Sequence, residues 1–138
     1  MSITGACRWG ILATGGIAKS FAKDLLVHPK TRPNGQHHTI VAAASASGAT
    51  RARNFLKDVG AQDNARGYGS YEELANDSNV DIVYIASPHS HHYQNVMLCL
   101  QAGRNVLCEK AFTVNAAQAR SLTDVARKKV WTDVSNML

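Results

Sequence analysis

Four short stretches of the chain carry residue types whose spacing could do chemistry. The first is Ala13-Thr14-Gly15-Gly16-Ile17-Ala18, where an apolar run stops at two glycines and a helical pattern resumes. A strand that turns through glycine into a helix aims backbone N–H groups and the positive end of the helix dipole at one point, which suits a pyrophosphate. Against the G-x-G-x-x-G/A fingerprint the stretch meets two of three positions, with Ala13 at the first, Gly15 at the second and Ala18 at the third. A purely structural turn uses glycines too; the place of this one, as the first strand-to-helix turn of the chain, favours phosphate binding.

The second stretch is Ala44-Ser45-Ala46-Ser47. A chain that prefers NAD carries a carboxylate here for the ribose hydroxyls, and no Asp or Glu occurs between Thr39 and Lys57. Ser45 and Ser47 offer hydroxyls, with Arg51 and Arg53 close behind. A 2′-phosphate is tolerated in such a loop, so NADP is expected over NAD; solvated helix charge is the other reading of the two arginines. The third stretch is Ser87-Pro88-His89-Ser90-His91-His92, three histidines within four residues. No neighbouring Cys, Asp or Glu completes a ligand set and a helix begins inside the cluster, so no metal is expected. A histidine at that helix start would instead donate to a ribose or cap the turn. The fourth is Cys108-Glu109-Lys110-Ala111, where a lysine at a strand end could orient a substrate hydroxyl and tune its proton transfer. A Glu-Lys pair on a sheet rim is the alternative.

The elements that must position these stretches follow from periodicity. Arg8 to Ala13 reads as a buried strand, and Ile17, Ala18, Phe21, Ala22, Leu25 and Leu26 recur at helical spacing after the glycines. Pro29 to His38 is a loop, and Thr39 to Ala44 is a second buried strand. Gly48 to Val59 is a helix with Gly60 as its stop. Ala65 to Gly69 reads as a short strand, and Ser70 stands three residues before Glu73, the spacing of a capping box. Val80 to Ala86 is apolar almost throughout, which implies burial on both faces of a parallel sheet. His91 to Ala102 is a helix, Asn105 to Cys108 a strand and Thr113 to Lys129 a last helix, with residues 130–138 too mixed to assign. Strands and helices thus alternate five times, which predicts an α/β fold: a Rossmann-type, doubly wound parallel sheet of about five strands with right-handed crossovers.

Composition agrees with one globular domain. The 138 residues are 45% apolar and 18% charged, unlike a disordered tail or a coiled coil. The net charge of +5 suits an anionic ligand, but the basic residues are scattered and do not interleave with aromatics, so no nucleic-acid partner is expected. Cys7, Cys99 and Cys108 sit in apolar contexts without short pair spacing and read as buried free thiols of a reducing compartment. No stretch approaches the ~18 apolar residues of a membrane span. A soluble, cytoplasmic chain is expected.

Arg8 to Ala18, Asp81 to His92 and Asn105 to Lys110 together resemble the N-terminal domain of the glucose-fructose oxidoreductase / inositol dehydrogenase / MocA-type family, closest to its fungal branch of dimeric dihydrodiol dehydrogenases and NADP-dependent D-xylose 1-dehydrogenases. The resemblance covers residues 7 to 129 in order and at family spacing. It implies NAD(P) binding through Thr14, Gly15, Gly16 and Ile17, with Ser45, Ser47 and Arg51 near the adenosine ribose. It implies that Ser87, Pro88, His89 and His92 lie beside the nicotinamide half, and that Glu109 and Lys110 belong to the family's Glu-Lys-Pro motif, the lysine being catalytic. The implied reaction is hydride transfer between a sugar or diol carbon and NADP.

Two departures from the family pattern stand out. Ala111 replaces the proline that would fix the backbone beside Lys110. The family also continues into a sixth strand and a large substrate-binding α/β domain, whereas this sequence passes from its last helix to Val130-Trp131-Thr132-Asp133 and Leu138. Residues 1–129 are therefore expected to be an NAD(P)-binding domain and 130–138 a divergent tail, a short form weak or inactive toward a polyol, sugar or diol by itself. The rival expectation is a repurposed, non-redox catalytic or interaction module that uses the cofactor cleft and works as a homo-oligomer or with a partner over its exposed sheet.

Overall fold

The computed structural model describes residues 6–27 and 37–108. The apolar runs form β1 (Ala6–Leu12), β2 (His37–Ala44), β3 (Arg66–Tyr68), β4 (Ile82–Ile85) and β5 (Asn105–Cys108). Between them lie α1 (Gly16–Val27), α2 (Ala49–Val59), α3 (Tyr71–Ala75) and α4 (His92–Gln101). All neighbouring strands pair in parallel, in the order β3-β2-β1-β4-β5. The chain therefore runs outward from β1 through β2 to β3, then returns to the other side of β1 and runs outward again. Right-handed crossovers in opposite directions place the helices on opposite faces. One face packs Trp9, Ile11, Ile40, Ala43 and Tyr84 with Ala18, Ala22 and Leu25 of α1 and Ala52, Phe55 and Leu56 of α2. The other packs Leu12, Ala42, Val83, Ile85 and Val106 with Leu74 of α3 and Val96, Cys99 and Leu100 of α4. This is the doubly wound α/β sheet expected from the alternation, and β1 and β4, where the winding reverses, flank its switch point.

Local signals act as their chemistry requires. Gly60 ends α2 in the left-handed region (φ 83°), its N–H reaching the Leu56 and Lys57 carbonyls. Ser70 caps α3 by accepting the Glu73 N–H at 3.2 Å, while its hydroxyl donates to the Glu73 carboxylate at 3.0 Å. Boundaries shift where side chains compete for the ladder. β2 begins at His37, two residues before the expected start, and the Trp9 indole N–H donates to His38 Nδ1 at 2.9 Å beside it. β4 begins only at Ile82, because Asp81 exchanges bonds with Arg8: its N–H donates to the Arg8 carbonyl (2.8 Å) and its carboxylate accepts the Arg8 N–H (2.9 Å). Val80 packs instead under Gly10, where a Cβ would lie 3.1 Å from its Cγ1. The helix expected at 113–129 and the tail at 130–138 lie outside the described residues.

Candidate dinucleotide site

The carboxyl ends of β1, β2, β4 and β5 lie along one edge of the sheet, and all four chemistry-bearing stretches begin there or just beyond. After β1 the chain turns at Ala13, whose φ of 82° lies in the left-handed region, while its N–H donates to the Ala44 carbonyl at 3.0 Å. This is the fingerprint position that normally holds glycine for the tight turn. The residue has changed and the backbone demand has not, at a cost of about 1–2 kcal/mol for an L-residue. Gly15 and Gly16 follow, and α1 begins with the Lys19 N–H on the Gly15 carbonyl at 3.0 Å. Among the described residues a Cβ on either glycine would meet nothing within 4 Å, and neither has a positive φ. Neither packing nor backbone geometry requires them. Their bareness leaves the N-terminus of α1 open to close approach. Ile17, which shares the helical spacing of Phe21 and Leu25, is 58% exposed, because Ala18, Ala22 and Leu25 form the buried row and Ile17 falls out of phase with it.

The turn after β2 is closed by Ser45. Its N–H donates to the Tyr68 carbonyl (3.0 Å), its carbonyl accepts the Gly48 N–H (3.1 Å) and its Oγ accepts the Ser47 N–H (3.1 Å). Ser45 is buried and shapes the turn; Ser47 is exposed. The two arginines part company here. Arg53 donates to Thr50 Oγ1 at 3.2 Å and lays its stem over Gly67. Arg51 faces α1 and lines a hollow of about 140 Å³ with Thr14, Lys19, Asn54, Phe55 and Asp58. The structure thus brings Arg51 beside the glycine turn and takes Arg53 away from it.

After β4, Ser87 is held twice: its Oγ accepts from Asn95 Nδ2 and its carbonyl from His92 Nε2, both at 2.7 Å. A carbonyl has no proton to give, so His92 carries its hydrogen on Nε2. Ser87, His92 and Asn95 are all buried and form a clamp under the Ser87-Pro88 loop. Asn95 has no counterpart in the sequence reading; its signal was a polar residue three positions after His92, on the same helix face as Val96 and Cys99. His89 to His91 make a single 3-10 turn, with the His91 N–H on the Pro88 carbonyl at 2.9 Å. The histidines diverge, for His91 is exposed against Ser90 while His92 is buried. Among the described residues no group of three or more His, Cys, Asp or Glu is placed to hold a metal. β5 ends at Cys108, opposite Ile85; Glu109, Lys110 and Ala111 lie outside the described residues.

Two contacts hold this edge in register. Phe21 of α1 stacks on Tyr84 of β4 at 3.8 Å and lies 5.3 Å from Trp9 of β1, so α1 spans the switch point. At the opposite end of β1 and β4, Arg8 grips Asp81 with Nε at 3.1 Å and Nη2 at 2.9 Å. Burial raises the Asp81 carboxyl, but the hydrogen bonds and charge of Arg8 outweigh it and hold the group below its ordinary value.

An open helix N-terminus at the switch point, a β2 turn without carboxylate and an arginine between them fit a nicotinamide dinucleotide. The sequence profile of the oxidoreductase family with an NAD-binding Rossmann fold (Gfo/Idh/MocA) matches residues 7–135. The chain belongs to this family. It is 56% identical to D-xylose 1-dehydrogenase (NADP(+)) of Hypocrea jecorina, across 91% of this chain and 34% of that protein. It is 41% identical to the human trans-1,2-dihydrobenzene-1,2-diol dehydrogenase, across 90% and 34%. Similar solved structures include an NAD-binding oxidoreductase from Klebsiella pneumoniae (TM-score 0.78, 27% identity, 92% of this chain and 33% of that one). Another is a 3-ketoreductase from Actinomadura kijaniata in complex with TDP-benzene and NADP (TM-score 0.76, 28% identity, 91% and 36%). The chain thus spans about a third of the length of these relatives. This NAD(P)-binding Rossmann domain buries the cysteines at 7, 99 and 108, with no disulfide among the described residues. No helix among the described residues is long and apolar enough to cross a membrane.

Proposed function

We propose that the chain binds NADP along the carboxyl edge of its sheet as the cofactor-holding part of a sugar or dihydrodiol dehydrogenase. The observation that carries this reading is the pair Gly15 and Gly16, whose missing side chains serve no contact among the described residues, which leave the α1 N-terminus open. Thr14, Gly15, Gly16 and Ile17 meet the pyrophosphate, with Ser47 and Arg51 toward the ribose 2′-phosphate and Ser45 shaping their turn. Pro88 and His89 belong beside the nicotinamide half, on a loop that Ser87, His92 and Asn95 hold in place. Bound there, the cofactor supplies a hydride acceptor for a CH–OH carbon. Lys110, with Glu109 before it, orients the substrate hydroxyl and manages its proton.

The preference for NADP is supported by the absence of a carboxylate in the β2 turn and by the NADP-dependent relative. Residues 1–129 form the cofactor domain in this reading and 130–138 a divergent tail; the buried thiols suit a cytoplasmic setting. The chain spans about a third of the length of the D-xylose dehydrogenase it resembles, and by itself is expected to hold cofactor and to oxidise xylose or dihydrodiols weakly or not at all. Titration with NADPH, followed by cofactor fluorescence, tests the reading. Saturable binding is expected, and Gly15→Val should weaken it about tenfold or more without lowering the thermal midpoint. No binding at ~1 mM, equivalent to only about −4 kcal/mol, overturns it.

A second reading is favoured by Ile17, 58% exposed beside a hollow of about 400 Å³ lined with Gly16, Ser20, Phe21, Asp24 and Tyr84. There the chain is a repurposed module that covers this face with a second copy or another protein. A monomer by light scattering that binds NADPH and oxidises xylose refutes it.

A further inference from the structure

Arg51, Asn54, Phe55 and Asp58 recur at i, i+3, i+4 and i+7 along α2, so they form the single stripe of that helix that faces α1. With Thr14 and Lys19 they enclose the hollow of about 140 Å³ beside the glycine turn. Its ionisable groups are two cations and one anion. Lys19 stands in the first turn of α1 with its Nζ 3.6 Å from Asp58 Oδ2, and both side chains keep substantial exposure, 43% and 60%. Arg51 makes no hydrogen bond or ion pair among the described residues. An anion in the hollow therefore meets both an uncommitted guanidinium and an ammonium partly neutralised by a carboxylate.

We propose that Asp58 sets how strongly the chain discriminates a 2′-phosphorylated dinucleotide from an unphosphorylated one, by competing with that phosphate for Lys19. The inference rests on the NADP reading and adds two residues that reading does not use. An exposed, loosely made ion pair is weak and readily exchanged. A dianionic phosphate recruited by Arg51 draws the Lys19 ammonium, on its flexible stem, away from Asp58. The abandoned carboxylate then opposes the phosphate as a like charge. With an unphosphorylated ribose there is nothing to draw Lys19, and the pair stays closed. The two residues consequently act on the phosphorylated ligand with opposite signs, and their effect on the other ligand, which brings only its pyrophosphate to the helix start, is smaller.

Binding of adenosine 2′,5′-bisphosphate and of adenosine 5′-monophosphate, and of NADPH and NADH, to the whole chain and to Asp58→Asn, Lys19→Met and Lys19→Arg tests this directly. Asp58→Asn is expected to tighten the 2′-phosphorylated member of each pair about three- to tenfold and to change the other much less. Lys19→Met is expected to weaken the phosphorylated member about tenfold, with Lys19→Arg restoring most of it. In the double variant the gain from Asp58→Asn should shrink, since only the direct repulsion between carboxylate and phosphate remains once Lys19 is gone. Equal effects on both members, or none, while the unaltered chain still prefers the 2′-phosphate, overturn the proposal and leave the NADP reading standing. Failure of the unaltered chain to bind any of the four ligands removes both. Circular dichroism and the thermal midpoint of each variant separate loss of binding from loss of fold.

Discussion

At the scale of single residues, the glycine turn carries two different demands that the fingerprint writes with one letter. Ala13 has the conformation that calls for glycine and lacks the residue, whereas Gly15 and Gly16 are glycine without a conformational need for it. Ala13→Gly should therefore stabilise the chain by about 0.5 kcal/mol, the release of about 1–2 kcal/mol of strain less about 0.5–1 kcal/mol for the added freedom of the unfolded chain. A rise of about 2 °C in thermal midpoint checks it; a fall would show that the turn is not strained at this residue. The buried clamp on Ser87 shows the same separation of roles. His92 and Asn95 spend their polar atoms on the loop and so serve the site by fixing it, while exposed Pro88 faces outward.

At the scale of elements, the position of Arg51 depends on how α2 sits on β3. Gly67 makes that contact: a Cβ there would lie 2.8 Å from the Arg53 backbone nitrogen and 3.1 Å from the Ala49 carbonyl oxygen. Backbone cannot swing aside as a side chain does, so Gly67→Ala must push the helix off the strand. The expected cost is about 1–3 kcal/mol, read as a lower urea midpoint, together with weaker NADPH binding. Gly16→Ala, with open space around it, should leave that midpoint nearly unchanged. Equal midpoints for the two variants would mean that α2 is not seated on β3 through this glycine.

At the scale of the whole molecule, stability should narrow at both ends of the pH range for separate reasons. Asp81, held below its ordinary value by Arg8 despite its burial, contributes stability that is present above about pH 4 and lost as the pH falls through its depressed value. The stability margin of the unaltered chain over Asp81→Asn should therefore be full at neutral pH and shrink in acid. Cys99 behaves oppositely. Burial pushes its thiol up to about 12, so the unfolded chain ionises first and stability drains as the pH rises from about 9 toward 12. Cys99→Ala should flatten that alkaline loss by up to about 1.4 kcal/mol per pH unit, measured by urea unfolding across the range. An unchanged alkaline slope would contradict the burial of this thiol.

The sequence by itself determined the alternation of strands and helices, the glycine turn, the lack of a carboxylate after β2 and the strands to which the candidate residues belong. Those are local properties: hydrophobic period, turn chemistry and residue type act over a few neighbours, so they are legible without the fold. Even here the exact strand starts slipped, because Arg8 and Asp81, 73 positions apart, trade bonds that displace the ladder. Only the tertiary structure decided which arginine faces the glycine turn, that Ser87 and His92 turn inward onto each other, that Ile17 is outside the core and that Lys19 meets Asp58. Each of these depends on the phase of one helix against another or on a contact between distant segments. Packing sets that phase, and a one-residue rotation would have exchanged Arg51 for a neighbour while leaving the same amphipathic pattern in the sequence.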